Sequence, residues 1–191
     1  MPCFFKGVGV GTFLHGTDLR LSGISPRSPR ASYTANVAMQ HIVRATTNSP
    51  CISLTRSYGV AEMYARDASR AFPTAANPAY VYEVDIPDPP PPGVTVLDPV
   101  IEVAAQNANP LISISYHHDG DMNFLLGVAD PVGMAAHLTA PAKQPGGRGG
   151  APRAPNLTIE LETFVRALRD AEVLVLGPVP AARVINRHDV Y

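Results

Sequence analysis

Two carboxylates separated by one residue, Asp170 and Glu172, open the apolar run Val173-Leu174-Val175-Leu176, which stops at Gly177-Pro178. A Val- and Leu-rich run bounded by Gly and Pro reads as a short buried strand, so the two acids stand where a turn enters the core. A carboxylate there is partly desolvated. It needs a donor, a cation or a cationic reactant beside it, and a backbone N–H or an arginine would meet that need with no chemistry at all. A second set of polar groups lies in Ser49-Pro50-Cys51-Ile52-Ser53-Leu54-Thr55-Arg56. In a strand, Cys51, Ser53 and Thr55 share one face while Ile52 and Leu54 share the other, which puts hydroxyls opposite an apolar surface. The third is His15-Gly16-Thr17, where a histidine adjoins a glycine that would let a ligand approach the backbone.

Two other stretches fail as sites. Gly7-Val8-Gly9-Val10-Gly11 resembles a phosphate loop, but position 12 is Thr where the dinucleotide fingerprint needs Gly, and no Gly-Lys-Ser/Thr follows. His117-His118-Asp119-Gly120-Asp121 groups metal-ligating side chains within five residues, with no distant Cys or His pair to complete a tetrahedral set. No metal site is expected. Cys3 and Cys51 are too few for a disulfide framework, so a reducing cytoplasm is the default, with delivery into a target cell's cytoplasm as the variant. No signal peptide is read at the N-terminus, and no apolar run reaches the roughly 18–20 residues of a membrane span. The net charge of −1 gives no global field for a polyanion, although Arg27 with Arg30, and Arg148 with Arg153, form local basic patches.

The elements that must position these residues read as a mixed α+β fold. The 191 residues suit one domain, 1–191, with a flexible Pro/Gly-rich loop at 140–156. Residues 11–18 read as a strand ending in a turn. Tyr33 to Thr46 reads as a helix capped at Thr34 or Asn36, and Val60 to Ala71 as a second. Tyr80 to Ile86 alternates strictly and is the clearest strand, closed by the prolines from Pro87 to Pro92. Val94 to Ala105 and Leu111 to Tyr116 read as strands, Asn123 to Ala136 as a broken helix. Leu157 to Arg169 reads as an amphipathic helix with Leu161, Phe164, Val165 and Leu168 inward, and Val184-Ile185 begins a last short strand.

Three strand-borne motifs in this order, His-Gly-Thr, Ser-x-Thr and acid-x-Glu, resemble those of the ADP-ribosyltransferase superfamily, with the bacterial and pierisin-like mono-ADP-ribosyltransferases nearest. The resemblance extends to Val60-Ala61 and Tyr64-Ala65 behind the second motif, to the strand at Tyr80 to Asp85, and to Gly177-Pro178-Val179-Pro180 with Val184-Ile185 after the third. It implies a split β-sheet core flanked by helices, and an enzyme that transfers ADP-ribose from NAD, its co-substrate, to a macromolecular acceptor, protein or nucleic acid, with release of nicotinamide. By the resemblance Glu172 is the catalytic acid, Asp170 the residue facing the acceptor, and Ser53 the group holding Glu172. Thr55 shapes the pocket, His15, Gly16 and Thr17 hold the adenosine ribose and the nicotinamide amide, and Tyr58 or Tyr64 packs on the nicotinamide ring. Arg20 is an alternative to His15, because related enzymes with Ser-x-Ser/Thr carry Arg in the first motif. Asp stands at position 170 where the family has Glu for arginine acceptors and Gln for guanine, which leaves either acceptor, or water, open. Such a chain would be a toxin or effector catalytic domain. An antitoxin or immunity partner is conceivable, with nothing in the sequence to support one. The alternatives are an NAD glycohydrolase, an RNA 2′-phosphotransferase, which the acid at 172 does not suit, a catalytically inactive module of the same fold, and a metal-dependent hydrolase built on His117 to Asp121.

Overall fold

A computed structural model describes residues 3–106 and 159–191. The segments 111–116, 117–121, 123–136 and 140–156 lie outside them. Six strands form one sheet, β1 (Cys3–Val8), β2 (Cys51–Thr55), β3 (Ala79–Asp85), β4 (Thr95–Leu97), β5 (Glu172–Leu176) and β6 (Val184–Val190). Their order is β4-β5-β2-β1-β3-β6, and every neighbouring pair is antiparallel. The helices are α1 (Leu19–Ser22), α2 (Ala35–Arg44), α3 (Tyr58–Asp67), α4 (Pro99–Gln106) and α5 (Ile159–Arg169). This is the mixed α+β architecture expected. Among the described residues no helix is long and apolar enough to cross a membrane.

The two-residue alternation of the strands decides what each face of the sheet meets. Phe4 and Val8 of β1, Ile52 and Leu54 of β2, Tyr82 and Val84 of β3, and Val173 and Val175 of β5 form the main core, closed over by Leu19, Ile24, Val94 and Val179. The opposite face is covered in two places. Ala38 of α2 packs on Cys51 and Leu174, while Ala61 and Ala65 of α3 pack on Val81, Ala79 and Phe5. Ser53, Thr55 and Glu172 belong to that same face by register, since Thr55 pairs with Glu172 and Ser53 with Leu174. The polar positions therefore fall between the two apolar patches.

Alpha-3 can lie this close to β1 because Gly7 has no side chain: a Cβ there would stand 2.1 Å from the Ala61 carbonyl oxygen. The sheet also has a seam. Beta-1 pairs with β3 over six residues but meets β2 in register at Phe5↔Thr55 alone. Past that point the Ser53 carbonyl accepts from Lys6 Nζ at 2.9 Å.

Several elements depart from the sequence reading. Residues 11–18 are a succession of turns leading into α1, with the strand lying earlier, at Cys3–Val8. Thr12 turns the chain by donating from its hydroxyl to the Gly9 carbonyl at 2.7 Å. The expected strand at 94–105 is a short strand followed by α4, whose first turn is capped by Asp98 Oδ1 accepting from Val100 N–H at 2.9 Å. The last strand is longer than expected, seven residues along one edge of the sheet. On α5, Thr163 and Ala167 turn inward and Phe164 is half-buried, but Leu168 is 48% exposed, so the buried stripe is rotated from the expected one. The Leu161 and Val165 side chains lie outside the described set.

Candidate active site

Between α2 and α3, over the seam, the polar face opens into a cleft of about 500 Å³, within the size range of small-molecule sites. Glu172 is its acid. It is the first residue of β5, placed on this face by its pairing with Thr55, and the Ser53 hydroxyl, on the same face of β2, is near enough to its carboxylate to favour the ionised form. Burial drives its pKa up to about 7. Asp170 adds to the rise, while the Ser53 hydroxyl, Lys6 and Arg169 oppose it. A carboxyl group balanced near neutrality can exchange a proton at physiological pH or, once ionised, stabilise a cation in an apolar-walled space.

Two residues absent from the sequence reading complete this group. His41, on α2, places Nε2 2.9 Å from Ser53 Oγ. Burial and then the Lys6 charge lower its pKa to about 4, so the ring is neutral near pH 7. Lys6, in the seam, has its pKa lowered by burial while the negative charge of Glu172 opposes the drop. Both had a faint signal. His41 falls on the inward stripe of α2 with Ala38 and Ile42, and Lys6 is a charge inside an otherwise apolar N-terminal strand.

Asp170 is buried and fully engaged. Arg169 holds it through Nε at 2.6 Å and Nη2 at 2.7 Å, and Tyr64 Oη donates to it at 2.5 Å. Its backbone carbonyl accepts from Thr55 Oγ1 at 2.5 Å, and that hydroxyl accepts in turn from Ser57 N–H at 3.0 Å. Asp170 and Thr55 thus fasten the end of β2 and the start of α3 to the entry of β5. Burial and the Asp170 charge push the Tyr64 phenol well above its usual pKa, which keeps it a donor.

The structure therefore brings Ser53, Thr55, Asp170 and Glu172 to one cleft. His15, Gly16, Thr17 and Tyr58 are not among its lining residues. His15 sits in a turn, its Nε2 2.9 Å from the Pro78 carbonyl and its ring stacked on Tyr80. Gly16 and Thr17 are exposed. Tyr58, at the start of α3, meets Phe5 and His188 edge-on at 5.7 and 5.4 Å between centroids. Arg20 is taken by Asp18, 2.6 Å away. Among the described residues no three His, Cys, Asp or Glu side chains group as metal ligands, and the 117–121 cluster lies outside them.

No family model, curated protein or solved structure matches this chain.

Proposed function

We propose that this chain is a mono-ADP-ribosyltransferase, cleaving NAD and passing ADP-ribose to a macromolecular acceptor as a toxin or effector domain. The observation that carries this reading is the half-buried Glu172 carboxylate beside the Ser53 hydroxyl, in a cleft where the only other described carboxylate, Asp170, is neutralised by Arg169.

In the reaction the bond between the ribose C1′ and the nicotinamide nitrogen breaks. Its electron pair leaves with nicotinamide, and the sugar becomes cationic. Glu172 faces that charge as an anion, so it favours the transition state over the neutral ribose of bound NAD. Ser53 orients the carboxylate, His41 steadies Ser53, and Lys6 helps keep Glu172 ionised. An acceptor nucleophile then bonds to C1′ and releases its proton to solvent.

Water as acceptor has specific support. Both carboxylate oxygens of Asp170, two residues before Glu172, already accept from Arg169 and Tyr64, which compete with a guanidinium or a base for them. Hydrolysis of NAD is accordingly the second reading.

Incubation with NAD labelled in its ADP-ribose half, with cell lysate present, separates the two. Transferase activity puts label on a macromolecule, and hydrolysis leaves it all as free ADP-ribose. In either case Glu172→Gln is expected to lower nicotinamide release by about 10²–10³-fold, the scale set by removing one preorganised electrostatic group. No nicotinamide release under any condition would refute both.

A further inference from the structure

The glycine run that fails as a phosphate loop leads into a second hollow, about 490 Å³ in volume. It opens beside the cleft and shares with it Thr12, Phe13, Arg27 and Thr47. It differs from the cleft in its balance of charge. Among the described residues the lining holds Arg27 and Arg70 and no carboxylate. The Arg27 guanidinium lies over the Phe13 ring, 5.4 Å from its centroid, and that ring is 59% exposed.

The walls are tied down by backbone and hydroxyl contacts. Arg70 N–H donates to the Val10 carbonyl at 2.9 Å, and Ser28 Oγ donates to the Thr47 carbonyl at 3.0 Å. Gly11, at φ +71°, passes beneath the Arg70 side chain, where a Cβ would stand 3.5 Å from Arg70 Cδ. Two planar guanidinium groups suit phosphate oxygens, and an exposed ring with a cation over it suits a stacked base. A bare anion would make no use of the ring. A purely apolar ligand would leave two charges unmatched.

We propose that this hollow is a nucleotide subsite, with Arg27 and Arg70 on the phosphate and Phe13 against the base. The identity of the nucleotide, though not the existence of the subsite, rests on the function proposed above: it is the adenosine diphosphate half of NAD or a nucleotide of a nucleic-acid acceptor.

The test is direct binding by the full chain. Affinity is measured by calorimetry for ADP-ribose and by fluorescence anisotropy for a labelled single-stranded oligonucleotide of mixed sequence, at fixed salt. The Arg27→Ala/Arg70→Ala double variant is expected to lose about tenfold or more in affinity for one probe, and Phe13→Ala several-fold for the same probe. Both arginines are exposed, so thermal unfolding should be unchanged and serves as the control. Loss for ADP-ribose alone assigns the subsite to NAD, and loss for the oligonucleotide alone assigns it to the acceptor. Equal binding of both probes by wild type and double variant, or no binding of either by wild type at millimolar concentration, overturns the proposal. A chain that releases no nicotinamide yet shows the arginine-dependent loss would refute the proposed reaction and leave the subsite standing.

Discussion

Glu172 sits at a balance of opposed effects, and each can be moved separately. Burial and Asp170 raise its pKa to about 7, against Ser53, Lys6 and Arg169. If the carboxylate is the active form, kcat/KM climbs with pH up to about 7 and then levels. His41, neutral above about 4, adds no further limb in the usual assay range. Removing the Lys6 cation by Lys6→Met takes away an opposing charge, so the pKa of Glu172 rises and the acid limb should move up by about one pH unit. A pH–rate profile that stays in place would disconnect Lys6 from the acid. The same imbalance costs stability. The folded-state pKa lies above the ordinary 4.5, so folding favours the protonated form: that stabilisation is complete below pH 4.5 and is lost as pH rises through 7. Glu172→Gln should therefore stabilise the chain by about 2 kcal/mol at pH 8 and by almost nothing at pH 4.5. Urea unfolding at the two pH values measures the difference. That acids at 170 and 172 needed partners was readable from the apolar run after them. Which acid would be neutralised was not, because the answer depends on Tyr64 of a different element and on how Arg169 is turned.

At the scale of elements, the site exists because two helices cover one sheet face and leave a polar strip between them. Alpha-3 is held against β1 by a close approach at Gly7. Gly7→Ala would drive a Cβ into the Ala61 carbonyl, and the strain should destabilise the fold by about 3 kcal/mol, seen as a lower denaturation midpoint. The clamp at the entry of β5 makes a second prediction. Asp170→Ala strands the mostly buried Arg169 without a counter-charge, its side chain only 13% exposed, at a cost of about 3 kcal/mol. Tyr64→Phe, which keeps the Arg169–Asp170 pair, should cost only about 1 kcal/mol. Equal losses in the two variants, measured by equilibrium unfolding, would contradict this division of labour. Beta-2, α2, β3 and β5 were legible in the sequence because each keeps its period and has clear stops, and α2 carries the expected cap, with Thr34 Oγ1 accepting from Val37 N–H at 3.1 Å. The stretch at 94–105 misled because its apolar, β-branched run suits a strand as well as a helix. Asp98-Pro99, a capping residue followed by a proline suited to the first helical turn, was the overlooked signal. Residues 11–18 misled in the same way, since aromatic and β-branched side chains there serve turns held by the Thr12 hydroxyl.

At the scale of the whole molecule, the cleft lies where the two halves of the sheet part, so a ligand bound in it touches both and should stabilise the folded chain. With NAD at a hundred times its Kd, the Glu172→Gln variant, expected to turn over slowly, should gain about 2.7 kcal/mol. Its thermal midpoint would rise, and no shift at saturating NAD would mean that the cleft does not bind it. The amino-acid sequence by itself determined the chemical kinds present and the face each would take: hydroxyls at 53 and 55 opposite Ile52 and Leu54, an acid leading an apolar strand, and an α+β pattern. These follow from local periods of two or 3.6 residues, which need no knowledge of neighbours. Only the tertiary structure decided that β5 lies beside β2 and that β1 is inserted between β2 and β3. It alone brought Lys6 and His41 to Ser53 while His15 went to Tyr80. Those choices are made by packing between segments far apart in the chain, and no local period encodes which distant strand or helix will supply the next side chain.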